Sequence, residues 1–399
     1  MKTEKHIHEG WLLAALAAVQ FTAVLDFMII MPLGPRYMDV FQISPGQFGL
    51  IVSAYALAAG ISGIVAGFFV DRFDRKRALM FLYAGFTLGT LFCGMAQSYE
   101  ALVAARVVAG AFGGVTMGLV MAVIGDVIPE ERRGRAMGIV MSSFSLASIC
   151  GVPIGLYLAN TIDWHVPFFA LTGLCVLVIF GMAAAMPSLR GHINQISTES
   201  PGERMSAIVR ERHNQLALLF MAMLMCTGFT VFPFLASYMV KNVGLTEKQL
   251  PLIYLCGGIC TLVSMNLIGR WADRVGKRRV FITMMLLSMI PVLIVTNLPH
   301  VALALALLIS TIFMVCSSGR TVPAMAMLTA SIEPRYRGGF MSINSSVQQL
   351  ASGLAAWISG HIIGQSGAHM TRFGWVGLLS VGFGCLAIYL ARFLRSVNA

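Results

Sequence analysis

Residues 67–77 read Gly67-Phe-Phe-Val-Asp71-Arg72-Phe-Asp74-Arg75-Lys76-Arg77, and residues 269–279 read Gly269-Arg-Trp-Ala-Asp273-Arg274-Val-Gly276-Lys277-Arg-Arg279. The glycine, the acid and the arginine after it recur at a spacing of 202 residues. Each stretch interrupts a long apolar run, so in both places a short basic loop joins two hydrophobic helices. A chain that repeats such a unit is built twice over from the same membrane-spanning architecture.

Composition supports that reading. Of 399 residues, 57% are hydrophobic and 11% charged, with a mean hydropathy of +0.80. A water-soluble chain carries roughly a quarter of its residues as charges. Twelve apolar segments are predicted, at 11–34, 45–70, 78–97, 99–125, 135–159, 165–187, 214–240, 247–270, 279–297, 300–331, 338–363 and 373–394. Crossing a bilayer takes about 20 residues of helix, which these segments reach or approach. The expected fold is an all-α membrane protein: twelve transmembrane helices in two pseudo-symmetric six-helix halves, 1–187 and 214–399. The polar stretch 188–213, with Pro201 and Gly202, is their linker.

The net charge of +11 is topological rather than a ligand site. With the N-terminus inside, the cytoplasmic segments hold 22 of the 28 Lys and Arg, and the external loops hold four: Arg36, Lys241, Lys248 and Arg372. Arg106 and Arg320 lie within helices. That bias places both termini in the cytoplasm and argues against nucleic acid as a partner. Lys2 and Lys5 precede the first apolar stretch as in a signal peptide, but Asp26 within it and the lack of a small-x-small site favour an uncleaved first helix. All eight cysteines fall in predicted helices, so no disulfide framework is expected. Cys256 and Cys260 lack His or carboxylate neighbours and read as buried apolar residues.

The repeat extends past the basic loops. Ser44-Pro-Gly-Gln47 and Thr246-Glu-Lys-Gln249 also differ by 202, and both fit a helix capping box. Gly110, Gly114 and Gly118 share a face of the fourth helix, and Gly63 and Gly67 one of the second, a spacing that lets helices pack closely in lipid.

An ionisable side chain at mid-membrane costs at least about 2.5–3.5 kcal/mol on insertion scales, so each needs a reason. One acid, Asp26, falls mid-way along the first helix. Aligning Pro32 with Pro233 sets Thr227 opposite it, so the second half has no equivalent. Burial favours the neutral form of a carboxyl, so Asp26 could carry a proton; a permanently bonded packing acid is the other reading. Arg106 and Arg320 stay charged and need an acid, carbonyls or water. Arg320 either binds a polar or anionic substrate group or pairs with Asp26 across the halves. Asn344, Gln348 and Ser352 share one face of the eleventh helix and suit a cavity wall, with Gln20 and Tyr55 as further candidates; interhelical hydrogen bonding is the alternative.

The loop Gly67-x-x-x-Asp71-Arg72-x-x-Arg75-Lys76, repeated at 269–279, resembles the signature loop of the major facilitator superfamily. Arg106 with Gly110 is similar to its fourth-helix arginine motif, and Gly151-Val-Pro153-Ile-Gly155 to the antiporter motif of proton-driven exporters. Together with Asp26 and Pro32 the pattern resembles the drug:proton antiporter family. The resemblance implies a latch of charges around Asp71, Arg75 and Asp126, matched in the second half by Gly269 and Asp273. It also implies a proton path near Asp26 and Arg106, and a fifth helix bent over Gly151–Gly155. Two departures stand out. Asp74 replaces the loop's usual glycine, which Gly276 keeps, and the spacing of the fifth-helix motif is closer to the sugar-efflux branch.

The function expected is proton-coupled export of small organic or drug-like compounds by alternating access. The partners are substrate, protons and the bilayer; the setting is a bacterial inner membrane, with the chain acting as a monomer. A sugar or metabolite uniporter or importer of the same fold, and a non-transporting membrane receptor, are the alternatives. No cofactor, metal or enzymatic activity is expected: the chain has no Gly-x-x-x-x-Gly-Lys-Ser/Thr loop and no His-Glu-x-x-His cluster.

Overall fold

A computed structural model describes residues 9–186, 189, 201–333 and 337–394. The predicted sites outside them are Lys2, Lys5, residues 190–200 of the linker, and Pro334–Arg335. The side chains of Asp71 and Arg337 are likewise not described.

The first half contains α1 (Glu9–Ile29), α2 (Gly34–Val40), α3 (Pro45–Ala66), α4 (Arg75–Met95), α5 (Tyr99–Val127), α6 (Glu130–Leu146), α7 (Val152–Thr161) and α8 (Val166–Ala185). After α9 (Pro201–Arg210) come α10 (Arg212–Phe229), α11 (Phe232–Lys241), α12 (Leu250–Val275), α13 (Lys277–Thr296), α14 (Leu303–Gly319), α15 (Thr321–Ser331), α16 (Arg337–Ile362) and α17 (Phe373–Leu390). Among the described residues, eleven spans are long and apolar enough to cross a membrane, and α16 is not one of them. It occupies the eleventh of the twelve predicted segments and is 26 residues long, but is diluted by Asn344, Ser345, Ser346, Gln348, Gln349 and Ser352.

Four spans are broken. A turn at residues 30–33 divides α1 from α2, and residues 230–231 divide α10 from α11. A π-turn, Ala147–Gly151, divides α6 from α7, and Arg320 alone divides α14 from α15. Pro35, Pro153, Pro233 and Pro323 each sit in the first turn of the helix that restarts, where a missing N–H costs nothing. The expected first span 11–34 therefore holds α1 and the turn, and α2 starts at its last residue.

The halves meet along two seams. In one, α16 runs against α3 for its whole length, with Gly360 on Pro45 and Gly49, Gly353 on Leu57, and Gly60 and Gly63 on Ser346 and Leu350. In the other, Gly258 of α12 lies on Ser148 and Ile149 of the π-turn. At the end opposite the basic loops, a short hairpin of β1 (Gly364–Ser366) and β2 (His369–Thr371) joins α16 to α17, an addition to the all-α expectation. Asn242 binds both backbone groups of Met370 there, at 2.8 and 2.9 Å.

The capping boxes are present. Ser44 N–H donates to Gln47 Oε1 at 2.9 Å, and Thr246 N–H to Gln249 Oε1 at 2.9 Å. The two basic loops differ in backbone. Asp74 N-caps α4, accepting from Arg77 N–H at 3.1 Å, so that helix begins at Arg75, three residues before the apolar run. Gly276 sits between α12 and α13 with φ +106°.

Candidate functional site

Asp26 lies mid-way along α1 and is fully buried, as is Arg106 on α5. Arg106 Nη1 donates to Asp26 Oδ2 at 2.7 Å and to the Asp26 carbonyl at 3.3 Å. Thr90 Oγ1 of α4 donates to the other carboxylate oxygen at 3.0 Å. The Arg106 guanidinium carbon stands 4.3 Å from the centre of the Tyr55 ring, a cation–π contact from α3. Four spans thus converge on one ion pair.

Packing sets this geometry. Gly110 lies one turn beyond Arg106, and a Cβ there would collide with the Tyr55 carbonyl. Its absence lets α5 press onto α3 and carries Arg106 over the ring. On the other side, Gly151 and Gly155 abut Leu25 and Ile29, so the fifth span closes on α1 beside Asp26. A buried pair of this kind is strongly held: removing one partner typically costs about 3–5 kcal/mol, because the survivor keeps its charge without a partner.

Above the pair is an aromatic ceiling that crosses the seam. Phe27 packs on Tyr55 at 5.3 Å between ring centres and on Phe229 of α10 at 5.7 Å. Phe232 of α11 packs on Phe313 of α14 at 4.9 Å. Thr90 and the rings of Phe27, Phe229, Phe232 and Phe313 were not singled out from the sequence. Their only signal is adjacency, Phe27 to Asp26 and Phe229 to the break in the seventh span.

Arg320 does not join Asp26. It is buried at the break between α14 and α15, where Nη1 donates to Ser288 Oγ at 2.9 Å and approaches Met285 Sδ at 3.5 Å. Its Nε has no hydrogen-bond partner among the described residues. The expected cross-half pair is therefore corrected: Asp26 is already held within its own half by Arg106 and Thr90, and Arg320 turns toward α13 and α10.

The remaining candidates scatter. Gln20 and Asn344 are buried, each with its side-chain oxygen unpartnered among the described residues, as is the Tyr55 hydroxyl. Gln348 is half-buried, and its carbonyl accepts from Ser352 Oγ at 2.7 Å. Arg75 is buried, and its Nε donates to Asp126 Oδ2 at 2.8 Å, which ties α4 to α5 inside the first half. Gly67 C-caps α3, with Met205 of α9 as a neighbour. In the second copy Gly269 faces Val322, and Asp273 is exposed.

The end opposite the basic loops is closed by bonds between the halves. Lys241 Nζ meets Asp39 Oδ1 at 3.0 Å, Arg36 Nη1 lies 3.8 Å from Glu247 Oε2, and Asn160 Nδ2 donates to the Glu247 carbonyl at 2.9 Å.

Two six-helix repeats with broken helices and a buried ion pair at mid-span describe a membrane transport protein. The chain belongs to the Major Facilitator Superfamily, which it matches over residues 16–231 and again over 216–399. It is 27% identical to the uncharacterized MFS-type transporter YceJ of Bacillus subtilis, over 86% of this chain and 87% of that protein. It is 25% identical to the inner membrane transport protein YdhP of Escherichia coli K12, over 95% of each. A chloramphenicol resistance protein of Streptomyces lividans is 24% identical over 66% of each chain. In fold it resembles a bacterial homologue of the human lysosomal transporter Spinster, solved inward-facing and unoccupied, with a TM-score of 0.76, 16% identity and 98% of each chain covered. A D-xylose–proton symporter gives the same TM-score and identity, covering 98% of this chain and 97% of that one.

Proposed function

We propose that this chain is a proton-coupled exporter of small organic compounds, working as a monomer in a bacterial inner membrane by alternating access. The observation that carries the reading is the fully buried Asp26–Arg106 pair, at 2.7 Å, beneath an aromatic ceiling shared by both halves. The similarity to a chloramphenicol resistance protein supports a drug-like cargo. The excess of Lys and Arg in one set of loops supports cytoplasmic termini. Residues 188–213 then form the cytoplasmic linker between the halves.

On that orientation the closed end is external and the conformation faces inward. The ion pairs at Asp39 and Glu247 seal the outside, while α12 beyond Gly258 leaves Ile259, Leu262, Val263 and Leu267 exposed toward the cytoplasmic end. In this state both Asp26 oxygens are engaged, one by Arg106 and one by Thr90, and cargo can enter from the cytoplasm. Outward opening brings water to the pair, a proton from outside neutralises Asp26, and Arg106 loses its partner. Return to the inward state restores the bond and releases the proton inside. The latch expected of Asp71, Arg75 and Asp126 in the alternate, outward-facing state starts from an Arg75–Asp126 bond already made in this one.

The test is transport in liposomes with an imposed pH gradient. Flux should follow the gradient in the wild type and be uncoupled from it in Asp26→Asn, while exchange of cargo for cargo persists. Flux indifferent to the gradient in the wild type identifies a uniporter instead.

A further inference from the structure

We propose that Arg320 is the docking charge for the cargo and that the cargo is therefore an organic acid: a ring-bearing compound with one carboxylate. The inference rests on the transport reading above and specifies its substrate class.

The two halves treat their buried arginines differently. In the first, Arg106 has Asp26 as a full counter-charge. In the second, no carboxylate among the described residues lies within 4 Å of Arg320, although the side chain is only 3% exposed. Its protein partners are a hydroxyl and a thioether, both on Nη1. Alignment of Pro32 with Pro233 shows what is missing: Thr227 occupies the position of Asp26, and Gly228 that of Phe27. Among the described residues Arg320 is thus a buried positive charge without a counter-charge, whereas Asp26 and Arg106 cancel. A charge removed from water without an opposite charge is costly, and a ligand carboxylate supplies the missing half.

No side chain of residue 228 stands between α10 and Arg320. A Cβ built on Gly228 would stand 3.8 Å from Arg320 Nη2 and 3.6 Å from the Phe232 ring, ordinary contact distances with nothing closer. Nη2 makes no hydrogen bond to the described residues, and Nε is unpartnered. Both are free for the forked geometry in which guanidinium grips carboxylate. The breaks of two spans converge here: α14 gives way to α15 at Arg320 itself, and α10 to α11 just past Gly228. Restarting helices present positive N-terminal ends to the same region. Phe229 and Phe232 supply an apolar face for the ring of the cargo, and Phe229 already touches Phe27 across the seam.

The experiment measures binding to purified protein in detergent, using benzoate, 2-naphthoate and indole-3-acetate beside their uncharged amides. Wild type should bind at least one acid tenfold more tightly than its amide. Arg320→Gln should abolish that preference, and Arg320→Lys should retain part of it. Gly228→Asp places a carboxylate beside Nη2; it should remove the preference while leaving the thermal midpoint equal or higher, and it decides the matter if Arg320→Gln does not fold. Equal affinity for acid and amide, binding of neither, or an unchanged preference in Arg320→Gln or Gly228→Asp overturns the inference. Flux driven by the pH gradient is scored separately with whichever acid or amide binds more tightly. Its survival alongside a missing acid preference rejects the organic-acid assignment alone, and its absence rejects the proton reading.

Discussion

Asp39 and Lys241 lie at the ends of α2 and α11, and their side chains meet at 3.0 Å across the seam. The contact joins one half to the other, so this pair lies where the two halves must part when that end opens. Asp39 is largely exposed, so the bond itself contributes about 0–1 kcal/mol. Its value is as a reporter. With the exposed Cys150, Cys260 and Cys385 changed to serine, cysteines at 39 and 241 joined by a short bismaleimide should arrest transport. Organic-acid binding should persist in the arrested protein. Full transport after complete cross-linking would mean that this end need not open.

The Asp26–Arg106 pair makes a stability prediction that is independent of transport. Asp26→Asn leaves Arg106 charged and fully buried, and should lower unfolding stability by about 3–5 kcal/mol, read as a fall in the thermal midpoint. Adding Arg106→Gln removes the stranded charge and should recover most of that loss without restoring coupled transport. A double variant no more stable than the single one would show that the pair is not the main support of this region.

Part of this was legible in the sequence and part was not. The fold was, because a 202-residue repeat and apolar runs are local, additive signals. The bond between Asp26 and Arg106 was not readable as such, since the residues are 80 positions apart on different spans and Arg320 was an equal candidate partner. Only the three-dimensional crossing of α1 and α5 decides between them. The helix breaks carried a signal that the hydropathy count passed over. Pro153, Pro233 and Pro323 each lie inside a predicted apolar segment and Pro35 just past the end of one, yet a proline in the first turn of a restarting helix leaves hydropathy unchanged. Pro291 shows why proline alone is insufficient: α13 continues through it.

The glycines of the fourth span divide sharply. Gly110 and Gly114 press on Tyr55 and Ala59, whereas a Cβ on Gly118 would meet nothing within 4 Å. Gly110→Val should cost about 1–3 kcal/mol of overpacking and displace Arg106 from Tyr55, reducing transport. Gly118→Ala should leave both unchanged or gain slightly, since alanine favours helix by up to about 1 kcal/mol over glycine. Thermal midpoints of the two variants side by side test this, and similar losses in both would refute the packing account.

The two copies of the basic loop differ at one matched position, and the backbone explains why. Gly276 adopts φ +106° and ψ 130°, a region closed to residues with a Cβ, whereas Asp74 adopts φ −55° and caps α4 through Arg77 N–H. Exchanging the residues should therefore have unequal effects in the two directions, for different reasons. Gly276→Asp should destabilise by about 1–3 kcal/mol through backbone strain. Asp74→Gly should lose no more than a few tenths of a kcal/mol, and Asp74→Ala about 1 kcal/mol, because glycine is itself a tolerated cap. Hydrogen exchange at the first turns of α4 and α13 separates the effects: Asp74→Ala should speed exchange in α4 only, and Gly276→Asp in α13 only. Faster exchange in both helices from either single change would mean that the loops are coupled, contrary to the independent backbone geometries seen here.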